Sequence, residues 1–255
     1  MNTTSELVVF ILLICLWRVF SAAMQIIRTC CARGAQGARG IVVVIDVFRA
    51  FTCEPLFFRF GVREVILEAD PEKAVEAKKR RPDWILVGER NEVPLEGADL
   101  GNSPSEILLK GEDFFRNRTV IHRSTAGVTG AAAALKTAEE VLLGSFLTAR
   151  ATAAYIREKA PGIVTLLAMG DRALDPAPED EACADYLEAL LTGNSYDHLT
   201  ALGNVLFQPT ARKFLLGTKP YLPREDPTLC LQRDLFDFAL TAKKRDGEIV
   251  VEKRP

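Results

Sequence analysis

The stretch Ile41-Val42-Val43-Val44-Ile45-Asp46-Val47-Phe48-Arg49-Ala50-Phe51-Thr52 decides the fold of this chain. Five consecutive Val and Ile residues are typical of a strand buried on both faces, as in the middle of a parallel sheet. The predicted strand ends at Asp46, where ligands of open α/β sheets bind, and Arg49 follows within one helical turn. Asp46 and Arg49 are therefore candidate site residues. The alternative interpretation is that Asp46 caps the next helix and Arg49 pairs with it.

Composition limits the classes of function that are open to the chain. Its 255 residues, 48% of them hydrophobic, can form one substantial core or one domain with two lobes. A net charge of −2 gives no support for nucleic acid or an anionic membrane as partner. The six cysteines form no CxxC pair, and two histidines exclude a histidine-rich metal centre. A reduced, cytoplasmic location fits this cysteine usage best.

The first 23 residues differ from the rest. Residues 7–17 are an unbroken apolar run, too short for a bilayer, which needs about 20 residues. A cleaved signal peptide or an anchor is one interpretation, although no positive charge precedes the run. The other, which we favour, is that Met24 is the true start. We therefore predict one domain over residues 24–255 and no packing of residues 1–23 on its core.

From Ile41 onward, predicted strands alternate with predicted helices. This alternation predicts an α/β fold in three layers, a largely parallel (mixed) sheet with helices on both faces, in one or two lobes. Residues 194–240 are predicted to be mostly helical and irregular, and residues 247–252 a closing edge strand. The predicted core strands cover residues 41–46, 64–69, 84–89, 119–123, 140–145 and 163–169.

The predicted strands end in small, hydroxyl or charged residues. Because the carboxyl ends of parallel strands lie on one edge of a sheet, we expect these residues to converge on a site for an anion or a metal. The strand ends are Asp46, Gly88-Glu89-Arg90, Arg123-Ser124-Thr125, Gly144-Ser145 and Gly170-Asp171-Arg172.

The segment from His122 to Gly130 has the composition of an anion-binding turn. It places Arg123, Ser124, Thr125 and Gly127 between a strand and a helix, and helix N-termini bind phosphate or sulfonate. Ordinary turn chemistry with a Ser or Thr cap is the alternative. The segment is not a P-loop, because the Gly-Lys-Ser/Thr ending is absent.

Several carboxylates are candidates for a metal site. Oxygen ligands from scattered loops suit magnesium, which takes one or two protein carboxylates and keeps several waters. Glu179 and Asp180 have a second interpretation, compensation of a helix dipole. His122 and Cys183 are interpreted as core or supporting residues. The acidic candidates are Asp46, Glu89, Asp99, Asp171, Glu179 and Asp180.

Five motifs in the right order resemble the 2-phosphosulfolactate phosphatase family. Two departures are Asn91 and Glu92, which stand where the family usually has two glycines; if Glu92 faces the site, its charge weakens anion binding. The motifs are Ile45-Asp46-Val47-Phe48-Arg49-Ala50, Gly88-Glu89-Arg90, Asp99-Leu100-Gly101-Asn102-Ser103-Pro104-Ser105-Glu106, Gly144-Ser145-Phe146-Leu147-Thr148-Ala149 and Glu179-Asp180-Glu181-Ala182-Cys183-Ala184.

The resemblance implies Mg²⁺-dependent hydrolysis of 2-phospho-3-sulfolactate, or a related small phosphorylated hydroxy acid, to sulfolactate and phosphate. The implied partner is thus a small anionic substrate, a homo-oligomer is compatible with it, and neither nucleic acid nor membrane is expected. A non-catalytic anion sensor on the same fold is the alternative. Asp46 is either a metal ligand or the nucleophile. The predicted catalytic residues are Asp46, Arg49, Glu89 and Arg90; the substrate-binding residues are Asn102, Ser103, Arg123, Ser124, Thr125, Gly127 and Ser145; the metal ligands are Asp46, Glu179 and Asp180.

Overall fold

A computed structural model describes residues 24–255, and the predictions for residues 1–23 lie outside this range. The strands are β1 (Gln25–Cys30), β2 (Ile41–Ile45), β3 (Glu64–Leu67), β4 (Ile85–Arg90), β5 (Val93–Pro94), β6 (Thr119–Arg123), β7 (Glu140–Gly144), β8 (Ile163–Ala168), β9 (Ala239–Arg245) and β10 (Glu248–Arg254). The helices are α1 (Cys31–Ala35), α2 (Ala50–Arg59), α3 (Pro71–Arg80), α4 (Pro104–Phe115, kinked at Gly111), α5 (Gly127–Ala134), α6 (Ala149–Lys159), α7 (Pro178–Thr192), α8 (His198–Leu206), α9 (Pro209–Leu215) and α10 (Asp226–Cys230).

These strands form one mixed sheet with the order β1-β8-β2-β7-β9-β10-β3-β6-β4-β5. It contains two parallel groups, β1-β8-β2-β7 and β3-β6-β4. The antiparallel hairpin β9–β10 lies between them and pairs with β7 on one side and with β3 on the other. The predicted fold class, a largely parallel mixed sheet, is confirmed.

The two parallel groups run in opposite directions, because every step from β7 through the hairpin to β3 is antiparallel. We expected the carboxyl ends of β2 and β6 to lie on one edge of the sheet. In a flat sheet with this strand order they would lie on opposite edges. They nevertheless meet: the Gly127 amide, just after β6, donates to Asp46 just after β2 at 2.7 Å. Twist contributes to this, since about 20–25° per strand adds up to on the order of 100° between β2 and β6.

Helices cover both faces of the sheet, as predicted. Val42 and Val44 face one core cluster, which includes residues of α1, α2 and α5. Ile41, Val43 and Ile45 face a second cluster, which includes residues of α6, α7 and α8. Because successive side chains of a strand point to opposite faces, an unbroken Val/Ile run can serve both clusters. Each such side chain contributes about 1.5–3 kcal/mol when it is fully buried.

The predicted core strands agree with the structure to within two residues at each end. The prediction of a closing edge strand at residues 247–252 was wrong, because β10 is paired on both sides inside the sheet. Three strands, β1, β9 and the two-residue β5, were not predicted. Within the described range, no helix is long and apolar enough to cross a membrane.

Candidate active site

One pocket collects the ends of β2, β4 and β8 and the turn after β6. Its empty space, the open mouth included, is about 530 Å³. Helix α9 and the loop after it close its far side. The lining residues are Asp46, Phe48, Arg49, Glu89, Glu92, Asn102, Thr125, Ala126, Gly170, Asp171, Arg172, Glu179, Asp180, Lys213, Phe214 and Leu222.

Asp46 lies at the base of the pocket and is held by two backbone amides. Its Oδ1 accepts from the Ala50 amide at 3.1 Å and its Oδ2 from the Gly127 amide at 2.7 Å. The Ala50 contact means that the Asp46 side chain caps the first amide of α2, as in the alternative interpretation, and Asp46 also lines the pocket. A carboxylate oxygen has two lone pairs, so both oxygens can still accept from a metal or a substrate.

Glu179 and Asp180 face the same pocket from the first turn of α7. Asp180 accepts from the amides of Val47 at 2.7 Å and Gly170 at 2.8 Å, and thereby ties β2 to the loop after β8. Glu179 accepts from the Thr210 hydroxyl of α9 at 2.8 Å. Both carboxylates are buried, whereas compensation of a helix dipole alone would leave them in solvent.

These three carboxylates are protonated more easily than ordinary ones. Burial raises the pKa of Asp46 to about 6 and that of Glu179 to about 7, against the lowering effect of their hydrogen bonds. Burial also raises the pKa of Asp180 well above its usual value, and the charges of Asp46 and Glu179 add to this. Such a group is stabilised in its charged form by a bound cation.

Arg49 is held on the opposite wall by the C-terminal segment, and it does not pair with Asp46. Its Nη1 donates to the buried Asp226 at 2.7 Å and to the Tyr221 carbonyl at 3.2 Å, and its guanidinium lies over the Phe214 ring. These contacts leave N–H groups of the guanidinium for an anion in the pocket. Arg49 is thereby fixed in place by partners that no strand-end pattern could indicate.

Glu89 braces the turn after β6. Its carboxylate accepts from the amide and the hydroxyl of Thr125 and from the Glu92 amide. Arg123 supports the same turn from below, because it donates to the Glu89 carbonyl and to the Thr125 hydroxyl. Arg123 is buried and does not line the pocket, so its place is that of a positioning residue.

Asn102 reaches the pocket through a buried chain of hydrogen bonds. Its Oδ1 lies 3.0 Å from His122 Nε2, and His122 Nδ1 lies 2.5 Å from Glu54 Oε1. When both ring nitrogens carry protons, they donate to Asn102 and Glu54, and the Asn102 amide NH₂ is then directed away from His122. His122 is a supporting residue, as interpreted from the sequence.

Besides Arg123, five of the predicted site residues do not line the pocket. Arg90 is exposed and pairs with Glu72. Ser103 donates to Asp226 at 2.9 Å, and Ser124 accepts from the Val128 amide at 2.9 Å. The Ser145 hydroxyl is buried with no hydrogen-bond partner among the described residues. Gly127 touches the site only through its backbone, by the bond to Asp46.

The pocket contains residues that the sequence patterns did not indicate, above all Lys213 of α9. Lys213 pairs with Glu92 and lies 3.4 Å from Asp171, and Arg172 lies 3.9 Å from Glu92. Nothing in the composition of residues 194–240 marks Lys213, since it follows no predicted strand. The lining thus has six acidic residues (Asp46, Glu89, Glu92, Asp171, Glu179 and Asp180) and three basic ones (Arg49, Arg172 and Lys213).

Because acidic residues outnumber basic ones in the pocket lining, the pocket is a candidate for metal binding. Within residues 24–255, no group of three or more His, Cys, Asp or Glu side chains is close enough to enclose an ion. A magnesium ion needs only one or two protein carboxylates, because it keeps several waters. The buried oxygen donors Asp46, Glu179 and Asp180 fit such an open site.

The sequence of this chain is similar to those of known proteins. The sequence model of the family described as 2-phosphosulpholactate phosphatase matches residues 31–244. Three relatives bear the name probable 2-phosphosulfolactate phosphatase. The one from Bacillus subtilis is 30% identical over 84% of this chain and 91% of the relative. That from Caldanaerobacter subterraneus is 32% identical over 77% and 85%, and that from Thermus thermophilus 34% identical over 78% and 77%.

The match covers β2 through β9, and hence every element that supplies a residue to the pocket. This chain therefore belongs to the 2-phosphosulfolactate phosphatase family, a family of phosphoric monoester hydrolases.

Proposed function

We propose that this chain hydrolyses 2-phospho-3-sulfolactate, or a closely related phosphorylated hydroxy acid, to sulfolactate and phosphate in a Mg²⁺-dependent reaction. One observation carries the proposal: the buried carboxylates of Asp46, Glu179 and Asp180 line the same pocket as Arg49, in a chain of a phosphatase family. A strongly anionic substrate cannot enter a pocket with an excess of carboxylates unless cations or protons offset their charge. This need supports the metal.

The residues have separable roles under this proposal. One or two of the carboxylates Asp46, Glu179 and Asp180 hold the metal, which when bound neutralises phosphoryl oxygens and acidifies a water. Arg49 donates charge-assisted hydrogen bonds to the phosphoryl or carboxylate group, and Asp226 keeps its guanidinium in place. The Asn102 amide donates to a second substrate oxygen. Glu89, Arg123 and Thr125 fix the turn on which Gly127 presents its amide to Asp46.

A phosphate-release assay tests the proposal. Purified protein is incubated with 2-phospho-3-sulfolactate, 2-phospholactate and p-nitrophenyl phosphate, each with MgCl₂ and with EDTA. We expect release from the sulfolactate ester to be fastest and to stop with EDTA. Release that is unaffected by EDTA would contradict the metal. Tight binding of the ester without any phosphate release would instead favour the anion sensor.

The raised pKa values predict how stability depends on pH and magnesium. In an unfolded chain Asp and Glu titrate near 4, whereas in the fold the pKa of Asp46 is about 6 and that of Glu179 about 7. Between pH 4 and 7 the folded state thus holds more protons on these groups, so their contribution to the free energy of unfolding falls as pH rises. Metal-free protein should therefore lose stability as the pH rises from 4 to 7.

Magnesium should oppose that loss, because at pH 8 it no longer competes with protons for the carboxylates. We expect MgCl₂ to raise the Tm at least about 2 °C more at pH 8 than at pH 6. Calorimetry of the wild type and of Asp180→Asn checks this, and the variant should lose most of the magnesium response. A response equal at both pH values, or unchanged in Asp180→Asn, would contradict a carboxylate metal site.

A further inference from the structure

Glu92 lies at the rim of the pocket inside a cluster of cations. It pairs with Lys213, Lys219 Nζ lies 3.8 Å from its carboxylate, and Arg172 Nη2 lies 3.9 Å from it. Its side chain is only 15% exposed, whereas those of Arg172 and Lys219 are 48% and 45% exposed. One carboxylate is thus enclosed by three positive groups, of which Lys213 also contacts Asp171.

The backbone fixes this position of Glu92. The Glu92 amide donates to Glu89 at 2.6 Å, and the Asn91 amide donates to Thr125 at 2.8 Å. Both Asn91 and Glu92 have a left-handed backbone, with φ of 49° and 75°, which non-glycine side chains rarely adopt. This left-handed turn therefore holds the Glu92 carboxylate at the rim of the pocket and not in solvent.

A substrate with phosphate at one end and a second anion at the other needs a cationic subsite away from Arg49. Arg172 and Lys213 line the pocket at its rim, and Lys219 lies 3.8 Å from Glu92 beside them. In this structure the Glu92 carboxylate is paired with these cations. Arg172 and Lys219 are about half exposed and Lys213 is 26% exposed, so the pairs of Glu92 with Arg172 and Lys219 can be exchanged at low cost.

We propose that Arg172, Lys213 and Lys219 form the subsite for the sulfonate of the substrate, and that Glu92 competes for it. This inference rests on the proposed function and adds a specificity determinant to it. Glu92 weakens binding of substrates that carry a distal anion, and has little effect on substrates that lack one. Displaced from the cations, its carboxylate moves to solvent while the backbone turn stays in place.

Two variants with opposite expected effects test the inference. Glu92→Gln keeps the size of the side chain and removes its charge, so KM for 2-phospho-3-sulfolactate should fall about tenfold. KM for 2-phospholactate, which has a methyl group in place of the sulfonate arm, should change less than about twofold, and kcat should stay the same for both. Lys219→Gln should instead raise KM for the sulfonate substrate about tenfold. Glu96→Gln, an exposed residue of the same loop, is the control.

Calorimetric binding of 3-sulfolactate and of lactate gives a measurement that needs no turnover. Glu92→Gln should bind sulfolactate more tightly than the wild type does, with lactate unchanged. If Glu92→Gln lowers KM equally for both substrates, or weakens sulfolactate binding, the inference is wrong. The cations would then stabilise the loop that carries Glu92 and would not bind the sulfonate. If the wild type releases no phosphate from either ester, the proposed function fails, and the calorimetric comparison still decides the role of Glu92.

Discussion

Replacing Asp46 by asparagine is expected to lower phosphate release about a thousandfold or more and to leave the protein folded. Asparagine removes the charge that faces the metal and the substrate, and loss of one preorganised electrostatic group typically costs about 10²–10³ in rate. Asparagine has only one accepting oxygen, so one of the amides of Ala50 and Gly127 loses its acceptor and faces the NH₂ group instead. Removing a buried charge offsets that loss of stability, because burial penalises the ionised carboxylate.

The measurement is the rate of Asp46→Asn as a function of MgCl₂, with the Tm as a check on folding. If Asp46 is a metal ligand, magnesium affinity falls and high magnesium restores part of the rate. If the variant binds magnesium normally and remains inactive, Asp46 is the nucleophile of a covalent step. Asp185→Asn, which changes an exposed carboxylate paired with Arg28, is the matched control and should keep full activity. Near-normal turnover of Asp46→Asn would remove Asp46 from the site.

The local pattern of apolar residues was sufficient to predict most of the core strands. The Ile41–Ile45 run indicated a strand buried on both faces, because five consecutive Val and Ile residues place apolar side chains on each face of a strand. Strand order is different, since it depends on which strands pair across more than a hundred residues. The local sequence around Ile249 and Val250 predicts a strand, but it does not indicate that this strand pairs with β3 between the two parallel groups.

The candidate site shows the same division. Strand ends predicted that Asp46, Glu89 and Arg123 would line one pocket; Asp46 and Glu89 do so, together with Thr125, whereas Arg123 does not. The pattern could not tell which side chain of a turn faces the pocket and which supports it from below, as the buried Arg123 and the outward Arg90 illustrate. Lys213 and Asp226 come from helices that close over the site, and their positions follow from tertiary packing alone.

Gly127 offers the sharpest test of the geometry around Asp46. A Cβ atom added to Gly127 would lie 2.6 Å from Asp46 Oδ2 and 3.0 Å from Asp46 Cβ, closer than real contacts allow. The Gly127 amide donates to that same oxygen, so Asp46 cannot move away without losing the bond. Gly127→Ala therefore has to displace the carboxylate, and a misplacement of about 1 Å can lower the rate about a hundredfold.

Gly203 of α8 provides the control, because a Cβ added there meets nothing within 4 Å. Gly203→Ala should stabilise the protein by roughly 0.5–1 kcal/mol, through helix propensity, with unchanged turnover. Gly127→Ala should cost about 1–3 kcal/mol as an overpacked site and also weaken magnesium binding. Phosphate release, Tm and magnesium titration of both variants check this pair. If Gly127→Ala keeps wild-type turnover and magnesium affinity, the position of Asp46 beneath the start of α5 does not govern the reaction, and the carboxylates of α7 would have to do so without it.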